Sequence, residues 1–268
     1  MLLAASFFWG TTFVAQILGM ERLGPYTYAS FRFALGVIFM GGLWFLYRGK
    51  RAAERRAGTF RSGFRAGIPV GVAMFAGVTL QQVALLYTTA GKTAFITTLY
   101  IVLVPLAAVA LGHRIRTAQW ISAVFAFAGV YFLSAYGEMT INKGDVLVFI
   151  CSLFWMAQIL LIDRFARTVD AIELCLTEMI VCMFGSAALA AAYESFAWTD
   201  VWSAAIPILY AGVFSCGVAY TCQILGQAYV EPTQASILLS LEAVFAAVTG
   251  WIVLGETMTA VQILGCAL

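Results

Sequence analysis

Ten runs of mostly apolar residues, each parted from the next by a short polar break, constrain this chain more than any other feature. A helix that crosses the hydrocarbon core of a bilayer needs about 20 such residues. The runs lie near residues 2–19, 26–47, 66–86, 93–111, 118–136, 146–162, 171–193, 201–225, 233–254 and from 260 onward. In hydrocarbon the backbone must satisfy its own polar groups, so runs of this kind fold as helices. Composition agrees: 63% of the residues are AVILMFWYC and 10% are charged, against roughly half and a quarter in soluble domains, and mean hydropathy is +0.94. The sequence predicts an all-α integral membrane protein with ten transmembrane helices. The last run has nine residues up to Leu268, too few to cross, so the natural chain is expected to continue for about another two or three helical turns. The first run has no basic segment before it and no small-residue cleavage site after it, and so reads as a span, not a signal peptide.

Charge placement orients these spans. With a cytoplasmic N-terminus, the inner breaks hold Arg48, Lys50, Arg51, Arg55, Arg56, Arg61, Arg65, Arg114, Arg116, Arg164 and Arg167, and the outer ones hold Arg22, Lys92 and Lys143. That asymmetry is the positive-inside pattern. Most of it sits in the segment 48–65, whose role reads as fixing topology and touching anionic lipid headgroups. Nothing points to nucleic acid.

Several enzymatic and metal chemistries find no support. Cys151, Cys175, Cys182, Cys216, Cys222 and Cys266 all lie in apolar stretches without CxxC spacing, which reads as small apolar filling and not as a disulfide framework or zinc site. Gly91-Lys92-Thr93 echoes a phosphate loop, but the glycine needed five positions before Gly91 is Leu86. The lone His113 cannot form an HExxH pair, and no GxSxG is present. No cofactor is implied.

The chain also repeats itself. Ser6, Phe8 and Trp9 fall on Ser152, Phe154 and Trp155 at an offset of 146; Gln81, Ala84 and Tyr87 fall on Gln223, Gly226 and Tyr229 at 142; Leu111-Gly112 falls on Leu254-Gly255 at 143. Two units result, 1–136 and 146–268, with five spans each. An odd number of crossings makes the second unit enter from the opposite side, so the units are expected to be inverted repeats. His113 then closes span four inside and its mate Glu256 closes span nine outside. In such proteins the substrate site lies near the midplane between the halves, which rock against each other.

These residues also resemble a known family, the ten-helix EamA-type exporters of the drug/metabolite transporter superfamily. The likeness covers essentially the whole chain. It is carried by FFWGTTFVA (7–15), GPYTYASFRFALG (24–36) with Arg32 at the family's arginine, TAFITTLYIVLVPL (93–106), and most specifically EPTQASILLSLEAVFAAVTGWIVLGETMT (231–259). The sequence departs from the family pattern in two places: Ala243 stands where proline usually follows the glutamate matching Glu242, and His113 replaces a glutamate ending span four. The resemblance implies cytoplasmic termini, a central cavity lined by spans one, three, four, six, eight and nine, and export of small metabolites.

Candidate substrate-binding residues follow. Trp9 and Trp155 lie in spans one and six and offer flat apolar faces with one N–H donor each, suited to an amphipathic or cationic group; otherwise they pack between helices. Gln81 and Gln223 are repeat mates, as are Thr12 and Gln158; an amide in hydrocarbon either bonds across helices or faces a wet cavity. Tyr100 and Glu242 are mates in spans four and nine, and Tyr220 lies one turn before Gln223. A carboxylate in the membrane must be paired, held protonated or exposed in a cavity, where it would bind a substrate amine or carry a proton, unless it serves only as a structural hydrogen bond. Lys92 sits at the outer mouth of span four, to attract a carboxylate or to snorkel. Arg32 and Glu178, mates in spans two and seven, are expected in structural ion pairs or on backbone carbonyls, away from the cavity.

The sequence thus predicts a plasma-membrane carrier, in the bacterial inner membrane, exporting small amphipathic metabolites with amino acids first and acting as a monomer or weak dimer. Other metabolites or drugs are the alternative cargo. A sugar nucleotide would call for several cations, and only Lys92 offers one. An inverted repeat with a polar centre also fits a channel or lipid-flipping scaffold, whereas an intramembrane enzyme lacks a catalytic set.

Overall fold

A computed structural model describes residues 1–88, 90–112, 114–134, 142–255 and 257–268, without the side chains of Arg55, Ala90, Gly91, Lys92, Ala94, Ser134 and Leu254. His113 and Glu256 lie outside the described residues, as does the Lys92 side chain. The described chain is helical: α1 (Leu2–Met20), α2 (Pro25–Leu46), α3 (Arg48–Arg56), α4 (Phe64–Ala84), α5 (Ala90–Thr97), α6 (Tyr100–Ala110), α7 (Thr117–Ser134), α8 (Lys143–Phe165) and α9 (Ala171–Tyr193). There follow α10 (Trp198–Ser203), α11 (Ala205–Tyr210), a π-helical stretch Ala211–Ala219, α12 (Tyr220–Gln227), α13 (Pro232–Leu239), α14 (Glu242–Thr249), a second π stretch Gly250–Leu254, and α15 (Ala260–Ala267).

Local chemistry sets the helix starts. Pro25 and Pro232 open α2 and α13, where a missing N–H costs nothing. Asn142 and Asp145 form a reciprocal capping box on α8, Asp170 caps α9 through the Ile172 and Glu173 amides, and Thr259 with Gln262 caps α15. Among the described residues, seven helical segments are long and apolar enough to cross a membrane: α1, α2, α4, α8, α9, Ala205–Gln227 and Pro232–Val253; Phe95–Ala110 and Thr117–Leu133 are shorter apolar helices. Seven of the ten expected spans therefore appear at full length within a few residues of their expected bounds. The segment 48–65 departs from a plain loop: its Lys, Arg, Ala and Glu are good helix formers, and 48–56 coil into α3 with a Lys50–Glu54 pair at 3.9 Å.

α2 runs antiparallel along α9, α4 packs between α8 and α9, α1 lies on α14 and the first π stretch, and α15 covers α7. Close approach depends on small residues. In α4, a Cβ on Gly67 would strike Leu174 and Thr177, and one on Gly71 would strike Glu178 and Val181; the GxxxG pair is the surface on which α9 rests.

Both ends of the α2–α9 pair are tied by carboxylates. At one end the buried Glu173 accepts from Trp44 Nε1 (3.2 Å), Ser62 Oγ (2.9 Å) and the Gly63 amide (3.1 Å). Arg51 Nη1 lies 3.7 Å from Glu173 and 3.6 Å from Asp170, while its Nη2 donates to the Trp44 carbonyl. Burial raises the Asp170 carboxyl above its usual value, against the opposing pull of the Glu173 amide and the Arg51 charge. At the other end Glu194 accepts from the Tyr26 (3.0 Å) and Thr27 (2.7 Å) amides, capping the start of α2 from the end of α9.

Candidate functional site

Two of the apolar segments are interrupted at equivalent places. Between α5 and α6 the chain tightens at Thr98-Leu99, with i to i+3 bonds from Ile101 N to Thr98 O (2.9 Å) and Val102 N to Leu99 O (3.0 Å). Between α13 and α14 it tightens at Ser240-Leu241, with Ala243 N on Ser240 O at 3.1 Å. No proline follows Glu242, and the break forms without one. Tyr100 and Glu242 are the first residues after these breaks, and their side chains meet, Tyr100 Oη donating to Glu242 Oε1 at 3.4 Å.

Helix geometry brings further residues to the same place. Trp9, Phe13 and Gln16 share one face of α1, and Trp155, Gln158 and Ile159 one face of α8, by their i, i+3, i+4 and i+7 spacing. Together with Tyr220 and Gln223 of α12, Gln81 of α4, Tyr100, Glu242 and others, they line a cavity of about 60 Å³. That is room for a few waters. The Trp9 ring lies against Tyr220, centroids 4.8 Å apart and tilted by 60°. Among the described residues neither indole N–H has a hydrogen-bond acceptor.

Four amides, Gln16, Gln81, Gln158 and Gln223, line the cavity. Gln158 and Gln223, both buried, exchange hydrogen bonds of 3.1 and 3.0 Å, and Gln158 Nε2 also reaches Glu178 Oε1 at 3.4 Å. Elsewhere Gln82 Nε2 donates to Gln16 Oε1 (2.9 Å), and Gln81 Nε2 to Thr97 Oγ1 (3.0 Å).

Of the residues singled out in the sequence, Trp9, Gln81, Tyr100, Trp155, Gln158, Tyr220, Gln223 and Glu242 line this one cavity. Thr12 does not; it is buried with its hydroxyl on the Phe8 carbonyl at 2.6 Å. The cavity also contains Arg32, Gln16, Phe13, Thr97 and Ser215. Gln16 was legible as the polar residue two turns beyond Trp9 on the same face; Ser215 was not, because the π stretch shifts the register of span eight.

The expectation for Arg32 is overturned. It lines the cavity, and among the described residues no ion pair or hydrogen bond involves it; Glu178 instead meets Gln158. Register explains this. The antiparallel contacts Trp44–Glu173 and Tyr26–Glu194 set Arg32 level with about Ser186, roughly eight residues and ~12 Å along the axis from Glu178. Equivalent positions in two antiparallel helices are not neighbours.

Long apolar helices around a small cavity of mixed aromatic and polar lining define a multi-span membrane protein. The EamA-like transporter family model matches residues 1–135 and again 142–268. An uncharacterized transporter of Archaeoglobus fulgidus is 31% identical over 261 residues, covering 97% of this chain and 79% of that one. A protein known from its crystal structure superposes with a TM-score of 0.79 over 99% of this chain and 91% of its own, at 16% identity, a likeness of fold alone. The chain belongs to the EamA-like transporter family, within the drug/metabolite transporter superfamily.

Proposed function

We propose that this transporter exports small amphipathic metabolites, amino acids first among them, by alternating access between two inverted five-helix halves, 1–136 and 146–268. Both termini would face the cytoplasm across the plasma membrane, the inner membrane of a bacterium, with the basic segment around α3 on the same side. The observation that carries the reading is the composition of one cavity: two indole faces with free N–H donors, several amides and the Glu242 carboxylate, facing one another from helices of both halves. Aromatic walls suit an apolar side chain, and sparse polar groups suit the charged ends of a zwitterion. The matched breaks at Thr98-Leu99 and Ser240-Leu241, one in each half, support hinge points beside the site.

The test is counterflow in liposomes holding the purified protein, with a panel of radiolabelled amino acids. Saturable uptake, accelerated by unlabelled substrate on the far side, is expected. A linear, non-saturating flux would identify a channel instead.

A further inference from the structure

We propose that Arg32 is the carboxylate-binding residue of the cavity, so that the transporter selects compounds bearing a carboxylate over amines that lack one. The inference rests on the transport reading and names the chemistry of its cargo.

Arg32 is 5% exposed and lines the cavity from α2. Its guanidinium lies 4.9 Å from the Phe33 ring centroid and 5.7 Å from that of Tyr28, contacts that hold the flat cation while leaving its edge donors unused. Nε is buried without an acceptor. Among the described residues the ion pairs are Lys50–Glu54 and those of Arg51 with Asp170 and Glu173; none involves Arg32.

Buried charges in proteins are paired, and the cost of holding an arginine in a membrane protein without a partner marks it as a candidate functional position. The contrast with Arg51 makes the point: a second buried arginine of the same chain has two carboxylates and a carbonyl around it. The surroundings of Arg32 are built for it. A Cβ on Gly212 would strike Leu35 and the Arg32 carbonyl, so the glycine lets α2 press onto the first π stretch, whose Ser215 lines the same cavity as Arg32. Carboxylates and phosphates both match the guanidinium fork in two parallel hydrogen bonds. A phosphorylated cargo, with two or more negative charges, would call for further cations. Arg32 is the one described cation on this cavity.

The test uses the full chain in detergent, reading ligand binding by the fluorescence of tryptophans including Trp9 and Trp155. The twenty amino acids are titrated first, then the amine obtained by decarboxylating the tightest binder. Wild type is expected to prefer the acid, and Arg32→Gln to reduce that preference by about tenfold to a hundredfold while the affinity for the amine stays within a few fold. Arg32→Lys, which keeps the charge without the fork, is expected to fall between them and serves alone if Arg32→Gln does not fold. An acid-to-amine ratio unchanged in a folded variant, or a wild type that binds no carboxylate, overturns the proposal. Liposome counterflow separates the two readings. Saturable counterflow of compounds indifferent to Arg32 keeps the carrier and removes the anchor, whereas Arg32-dependent binding without counterflow keeps the anchor and removes the carrier.

Discussion

The side-chain amides of Gln158 on α8 and Gln223 on α12 face each other with two reciprocal Nε2 to Oε1 hydrogen bonds, 3.1 Å one way and 3.0 Å the other. α8 packs mainly on α4, and α12 on α1, α9 and the first π stretch, with a smaller α8–α12 contact between them, so this pair is a polar tie across that contact beside the cavity. Each amide is satisfied by the other. Gln158→Leu alone strands the Gln223 amide in an apolar setting and is expected to lower stability by about 1–2 kcal/mol, with Gln223→Leu similar. The double replacement is expected to cost less than the sum of the two. Thermal unfolding in one detergent, read as a double-mutant cycle, checks this; strict additivity would mean that the amides do not interact.

The tie between α2 and α9 leads to a second prediction, in which two adjacent carboxylates behave differently. Glu173 is fully buried and accepts from Trp44, Ser62 and Gly63, so Glu173→Ala leaves three donors without their acceptor and Arg51 with one of its two carboxylates. A loss of about 3–5 kcal/mol is expected. Asp170 caps α9 through two amides and carries a carboxyl whose burial already disfavours its charge. Asp170→Asn keeps the cap acceptor and removes that charge, at a cost of under about 1 kcal/mol. Unfolding midpoints that rank the two variants the other way round would reverse this assignment of roles.

At the opposite end, Glu194 supplies both oxygens to the first free amides of α2. Glu194→Ala removes the acceptor and the favourable charge at the helix start, and about 1 kcal/mol is expected to be lost. Glu194→Gln keeps one acceptor and recovers part of it. Hydrogen exchange at the Tyr26 and Thr27 amides is the direct readout: faster exchange in the alanine variant is expected, and unchanged rates would show that water replaces the cap at no cost.

How far the sequence could be read depended on what each feature encodes. The long apolar runs were legible because a bilayer demands about 20 such residues whatever the fold, and Asn142, Asp170 and Pro232 marked helix starts by chemistry local to the chain. Trp9 and Trp155, or Tyr100 and Glu242, could be selected because aromatic and polar side chains stand out at matched offsets. Arg32 was misread because pairing by offset says nothing about the antiparallel register of α2 and α9, which is set by contacts at their distant ends. The π stretch Ala211–Ala219 was invisible, since its extra residue per turn has no composition of its own.

The indoles give a further test of the cavity. Trp9 and Trp155 line it with N–H groups that have no acceptor, and Trp9 lies against Tyr220. Trp9→Ala and Trp155→Ala are expected to weaken transport by about fivefold to a hundredfold while the protein still inserts, because each removes an aromatic wall worth about 1–3 kcal/mol to a bound apolar group. Trp9→Phe, which keeps the face and loses the donor, separates packing from hydrogen bonding. Unchanged kinetics in both alanine variants would take the rings out of the substrate path.

Glu242 carries the last prediction. Its carboxyl opens α14, lines the cavity and has the Tyr100 hydroxyl as its hydrogen-bond partner, at a long 3.4 Å. A carboxyl so weakly held is free either to receive a substrate amine or to take up and release a proton as the cavity changes sides, and the two roles differ in what Glu242→Gln does. If the group carries protons, Glu242→Gln liposomes still perform substrate exchange but no longer concentrate substrate when a pH gradient is imposed. If it binds the amine, the variant loses affinity in exchange and gradient-driven uptake alike, by about tenfold. Tyr100→Phe removes the hydroxyl alone and is expected to shift the pH dependence of exchange without abolishing it. Exchange and gradient-driven uptake both at wild-type levels in Glu242→Gln would assign the carboxyl to holding α14 in place.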